Sequence, residues 1–134
     1  MKNIKLIKEK PLIYAFVSVL ALMGTGVVII YATLFYHVNK YCSDAKKSYG
    51  GKCSDSLISL MQNESESVRS KNDAIWTLGQ LADKKSLPTL KSIYKGVPDG
   101  REPLDKVISQ YEIRKAIRWC EEGNWTSWMY SVYK

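Results

Sequence analysis

Apolar and polar residues alternate along this chain in two different ways. From Leu12 to Val38 there is no Asp, Glu, Lys or Arg. After Ser54 apolar residues return instead every three or four positions, the spacing of a helix with one buried face. As a helix, the uncharged run extends about 39 Å, more than the ~30 Å hydrocarbon core of a bilayer, and tilt absorbs the excess. Tyr14 and Phe16 stand near one end, and Tyr31, Phe35, Tyr36 and Tyr41 near the other. Aromatic rings at both ends suit the two membrane–water interfaces. Pro11 fits the first helical position, where its missing N–H costs nothing.

The pattern beyond the run predicts helices only, because no stretch sustains the period-two alternation of a strand. Leu57, Leu60 and Met61 mark a short helix capped by Ser54 or Asp55. A longer helix runs from Ser65 or Glu66 to Leu81. Its stripe is Val68, Ala74, Ile75, Leu78, Leu81 and Ala82, with Arg69, Asp73, Thr77 and Gln80 opposite and Trp76 on the flank. Ser86 can cap the next helix, whose apolar face is Leu87, Leu90, Ile93 and Tyr94 and which Gly96 ends. After Pro103 two stripes follow: Leu104, Val107, Ile108 and Tyr111, then Ile113, Ala116, Ile117 and Cys120. With no Gly or Pro from Ser109 to Cys120, they predict one irregular or two-sided helix, closed by Gly123.

Charge adds a reading of placement. The 134 residues carry a net +7, which alone would suggest nucleic acid. Lys2, Lys5, Lys8 and Lys10 against Glu9 give the amino end about +3, and Lys40, Lys46, Lys47 and Lys52 against Asp44 give about +3 after the run. The rest holds only about +1, so the excess flanks the apolar segment, where anionic headgroups lie, and nucleic-acid binding is set aside. A cleaved signal peptide would have about 7–15 apolar residues and a small-residue cleavage site; this run is longer and lacks one, which favours an uncleaved signal anchor. The lysine balance favours a cytoplasmic amino end by a small margin. The expected setting is the inner (plasma) membrane of a bacterium, crossed once, with the folded part outside the cytoplasm. Ala21 and Gly24-Thr25-Gly26 make a small-residue patch through which two such helices could form a homodimer, although ordinary membrane helices carry such residues too.

Cys42 and Cys53 flank a glycine-containing loop and could pair in an oxidising compartment; Cys53–Cys120 and Cys42–Cys120 stay open as alternatives. No C-x-x-C pair exists and the sole histidine, His37, sits at the end of the apolar run, so no metal site is expected.

From Val68 to Tyr94 the chain resembles a HEAT-like repeat of the short kind found in phycobilisome-lyase-type repeat proteins. Val68-Arg69, Ala74, Leu78-Gly79-Gln80-Leu81-Ala82-Asp83, Leu87-Pro88 and Leu90 carry the resemblance. It implies that Gly79 lets paired helices approach closely and that Asp83 opens the turn between them. Leu57-Ile58-Ser59-Leu60 looks like the second helix of a preceding repeat, about 30 positions before Leu87-Pro88-Thr89-Leu90. Ile113-Arg114-Lys115-Ala116-Ile117 could begin a following one. Bilin-lyase activity would rest on fold analogy alone.

The expected architecture is all-α: a basic tail 1–11, a transmembrane helix 12–38, a linker 39–54 and a short HEAT-like helical repeat domain 55–134. No catalytic residue or cofactor site is expected, since a single histidine outside the folded part provides no Ser-His or Cys-His pair and no phosphate-binding loop occurs. Two non-enzymatic roles follow: a membrane-anchored scaffold that binds a protein partner, or an accessory subunit docking through its transmembrane helix. Arg69, Lys71, Arg114, Lys115 and Arg118, with Trp125 and Trp128, are the candidate partner surface. Trp125, Trp128 and Tyr130 also suit a cap folded over the last helices.

Overall fold

The computed structural model describes residues 2–133, with side chains from residue 11 onward; the charges of Lys2, Lys5, Lys8, Glu9 and Lys10 therefore lie outside the described side chains. The chain is all-helical, and no strand occurs among the described residues. It divides into two compact units, Met1–Tyr36 and His37–Lys134. Helix α1 spans Lys2–Tyr49. Pro11 lies inside this helix and not at its first position. The good helix formers before it carry the helix past the one backbone hydrogen bond that Pro11 forgoes.

Within the first unit most described apolar side chains are exposed, Leu12 by 74% and Leu22 by 73%, while Tyr31 and Leu34 are half-buried. Its three aliphatic hydroxyls turn back onto the helix itself. Ser18 donates to the Tyr14 carbonyl, Thr25 to Ala21 and Thr33 to Ile29, each at 2.8 Å. That removes the cost these groups would bring to an apolar environment. The helix is long and apolar enough to cross a membrane.

In the second unit, the end of α1 has a buried edge: Val38, Cys42 and Ala45, at intervals of four and three. Where the Ser, Asp and Lys content of 39–54 predicts a linker, this edge keeps the chain helical to Tyr49. Gly50 and Gly51, both at positive φ, then turn the chain. Helix α2, Cys53–Gln62, starts before the expected caps, with Lys52 at the cap position and Ser54 and Asp55 in its first turn. Ser56 Oγ holds the turn, donating to the Gly50 carbonyl and, at 2.9 Å, to that of Lys52. Cys42 and Cys53 are joined by a disulfide.

Helix α3, Val68–Leu81, is the centre of the unit. It begins after Ser67, whose Oγ accepts from the Ser70 N–H at 3.0 Å; that bond sets the start later than Ser65 or Glu66. Ala74, Ile75, Leu78 and Leu81 are buried, as the stripe predicts. The face opposite is covered too, with Thr77 and Gln80 buried, because α3 packs on α2 and also on helix α5, Gln110–Glu122. Gly79 makes the second contact close: a Cβ there would stand 3.0 Å from Ala116 Cα and 3.0 Å from Trp119 Cε3.

A 3-10 turn at Lys84–Ser86, capped by Asp83 accepting from Lys85 N–H, leads into helix α4, Leu87–Ile93. Ser86 makes no side-chain capping bond. Helix α4 packs on α5 through buried Leu90, and Lys91 forms an ion pair with Glu121.

The stripe Leu104, Val107, Ile108 and Tyr111 does not form a helix. Residues 94–109 are irregular, and Leu104, Val107 and Tyr111 are exposed. Polar side chains hold this backbone. The buried Asn72 amide donates to the carbonyls of Leu104 at 2.8 Å and Val107 at 2.9 Å, and accepts from Ser109 N–H at 2.9 Å. Glu102 takes the Ser109 hydroxyl and the N–H groups of Gln110 and Tyr111, at 2.7, 2.8 and 3.0 Å. The two N–H groups are donors that a helix N-terminus leaves unsatisfied, and Ser109 Oγ accepts a third from Glu112 at 3.1 Å, so α5 starts at Gln110. The second stripe is the real helix face, with Ile113, Ala116 and Cys120 buried and Gly123 closing it.

Candidate interaction surface

The polar lock on the irregular segment also shapes a cleft of about 750 Å³ between α3 and residues 101–105. Its lining includes Arg69, Asp73 and Trp76 from α3, Arg101 and Leu104 from the segment, and Glu112 from α5. Two guanidinium groups, carboxylates and an indole thus share one open depression. It offers fork-like donors, anionic acceptors and an apolar face together.

The acidic groups there are held differently. Burial, the largest influence, raises the Asp73 carboxyl above its ordinary value; the charge of Arg69 and a hydrogen bond from Tyr41 pull it partly back. Burial also pushes Glu102 upward, but the bonds from Ser109, Tyr111 and Gln110 together outweigh it and leave the carboxyl below its ordinary value. Trp76 is positioned by Tyr41, whose ring meets it edge to face at 6.3 Å.

Of the cations expected on a partner surface, only Arg69 lines this cleft. Lys71 is half-buried on α3. Arg114 and Arg118 are exposed one turn apart on α5, with the Arg114 guanidinium 5.5 Å from the Tyr111 ring centre. Lys115 is engaged within the fold, paired with Glu112 at 2.7 Å and 5.3 Å from the ring centres of both Tyr111 and Trp119. Arg101, Asp73 and Glu112 are cleft residues that the sequence pattern does not single out. Trp76 gave a signal, since a large ring beside the buried stripe must be half-covered by something else.

Of the three rings expected to cap the last helices, Tyr130 alone is buried, with Met129 and Tyr133 half-buried against the core. The 3-10 segment Ser127–Tyr133 packs on α3 and buries Tyr130 fully. Trp125 and Trp128, expected to fold over the last helices with it, are exposed by 81% and 69%. The segment is kinked at Tyr130, which turns that ring inward with Met129 and Tyr133 half-buried beside it and leaves Trp125 and Trp128 outside. Asn124 and Thr126 fasten its start to α3, both donating to Gln80 Oε1, at 3.1 and 3.0 Å.

Among the described residues there is no group of three or more His, Cys, Asp or Glu placed to hold a metal ion. Cys120, outside the disulfide, is buried, with its sulfur 3.7 Å from the Leu78 carbonyl oxygen. Comparison of the chain with protein-family models, with curated proteins and with solved structures finds no match.

Proposed function

We propose that this chain is a membrane-anchored, non-catalytic interaction module. Helix α1 acts as the anchor and the helical unit beyond it presents a docking cleft to a protein partner. The cleft carries the reading: Arg69, Arg101, Asp73 and Trp76 converge around a backbone held rigid by Asn72 and Glu102. Such a site suits an extended peptide segment bearing a carboxylate near an apolar side chain, because paired guanidinium groups favour carboxylates and an indole favours apolar contact. The stacking of α2 on α3 and α3 on α5 agrees with a short, degenerate array of the HEAT-like kind, in which neighbouring helices bury one another's faces.

The anchor is read as an uncleaved signal anchor in a bacterial inner membrane. Its hydroxyls are satisfied within the helix and most of its apolar side chains are exposed. A disulfide between Cys42 and Cys53 fits an oxidising compartment and so supports the reading with the helical unit outside the cytoplasm and the amino end inside. The wide exposure of apolar side chains along α1 supports a second reading as well, an accessory subunit whose helix docks in a larger membrane complex. Exchanging residues 12–36 for an unrelated apolar helix separates the two: retained partner recovery supports the cleft, lost recovery the helix.

The direct test is chemical crosslinking of the full chain in native membranes, with Arg69→Glu/Arg101→Glu alongside. A reproducible partner is expected, recovered at least about tenfold less with the charge-reversed chain, since a desolvated charge contact costs about 2 kcal/mol or more to lose. Equal recovery with both chains, or no reproducible partner, overturns the proposal.

A further inference from the structure

The exposed rings at the carboxyl end call for an occupant. Trp125, Trp128 and Val132 are 81%, 69% and 87% exposed, although burying a large apolar side chain is worth about 1.5–3 kcal/mol. They do not hang from a loose tail. Gln80 fastens residues 124 and 126, and buried Tyr130 pins the segment between the two exposed positions 128 and 132. The backbone therefore holds these side chains outward.

Their place in the fold says what they meet. Tyr133 Oη donates to Asn39 Oδ1 at 2.8 Å, and Asn39 immediately follows Val38, the last residue of the uncharged run. A segment bonded to Asn39 stands where that run ends. Trp128 precedes Tyr133 by five residues in a 3-10 segment that bends at Tyr130, and a bend only shortens the ~10 Å that five residues span at a 3-10 rise. A headgroup zone is roughly 5–8 Å deep, so a tryptophan side chain spans the remainder. Exposed Lys40 is the next residue after Asn39 and can attract lipid phosphate.

We infer that Trp125, Trp128 and Val132 form an interfacial foot, resting in the headgroup region of the bilayer that α1 crosses. The inference builds on the membrane reading above. Indole suits this zone because its ring is apolar and its N–H can reach water or a lipid ester. The foot is a second membrane contact, separate from the spanning helix and made by the opposite end of the chain.

The test uses the full chain in phosphatidylcholine–phosphatidylglycerol vesicles, with or without lipids brominated near the headgroup. Tryptophan emission is compared with that of Trp125→Phe/Trp128→Phe. Two of the four tryptophans are in the foot, so brominated lipid should remove about half of the wild-type emission. The quenched fraction should fall severalfold in the variant. Both substitutions are at exposed positions; if the double variant fails to fold, the two single variants give the same comparison. Vesicle flotation is measured on the same samples. A chain that fails to float overturns the membrane reading and the foot with it. A chain that floats with unquenched emission, because a second copy or another surface shields the rings, overturns the foot alone. Equal quenched fractions in wild type and variants do so too.

Discussion

Gly79 decides how closely two helices meet. A methyl group there would press on Ala116 Cα, a backbone atom that cannot swing aside, and on Trp119. Alanine would gain about 1 kcal/mol of helix propensity over glycine, against about 1–3 kcal/mol for overpacking. Gly79→Ala is therefore expected to destabilise the unit by about 1 kcal/mol, and Gly79→Leu by severalfold more. Thermal unfolding of the full chain in detergent reads this as a fall of about 4–8 °C for alanine. An unchanged or higher midpoint for both variants would show that α3 and α5 do not meet at Gly79. The need for a small residue was legible in Leu78-Gly79-Gln80-Leu81, but the partner was not. The resemblance pairs α3 with the helix that follows it, whereas the close neighbour is α5, more than thirty residues further on.

At the scale of the element, the stretch before α5 shows how polar anchoring can defeat a helical pattern. Leu104, Val107, Ile108 and Tyr111 are spaced as a helix face, yet a buried amide and a carboxylate take up the backbone groups around them. Periodicity reports apolar spacing only and is blind to a side chain reaching in from over thirty positions away, as Asn72 does. A pH dependence follows from Glu102. Its folded pKa is lower than its unfolded one, so its contribution is complete above the unfolded value and is lost as pH falls through the folded value. Acidification through that window should loosen residues 101–109 before the rest of the unit. Amide hydrogen exchange at Gln110 and Tyr111 should report it, and Glu102→Gln should abolish the pH dependence. Protection that stays equally pH-dependent in the variant would assign the effect to another group. Asp73 works in the opposite direction: its raised pKa weakens its support for the fold as pH rises through the titration range.

For the molecule as a whole, the disulfide ties the end of α1 to the start of α2. It closes a sequence separation of 11 residues, which in the chain-entropy model is worth about 3 kcal/mol. Reduction, or Cys42→Ser/Cys53→Ser, is expected to lower the urea midpoint of the full chain accordingly, by about 1–3 M at the usual slope for small proteins. An unmoved midpoint would mean that the helical core holds this junction unaided. The all-helical class and the long apolar helix were legible because both rest on local spacing. The continuation of α1 to Tyr49 was obscured by surface Ser, Asp and Lys, which hide the sparse buried edge of Val38, Cys42 and Ala45. The cleft was least legible, since Arg69 and Arg101 are brought together only by tertiary structure.

Helix α3 is packed between two helices, α2 and α5. Asn72, Ala74, Ile75 and the unbroken stretch Thr77–Leu81 are all buried, so most changes along this helix disturb two neighbours at once. Drift in a lineage should therefore be slow here and fast in the outward-facing turn Pro98-Asp99-Gly100, short of the cleft residue Arg101. A distant cousin of this chain would be recognised first by its middle, long after its ends had become unreadable.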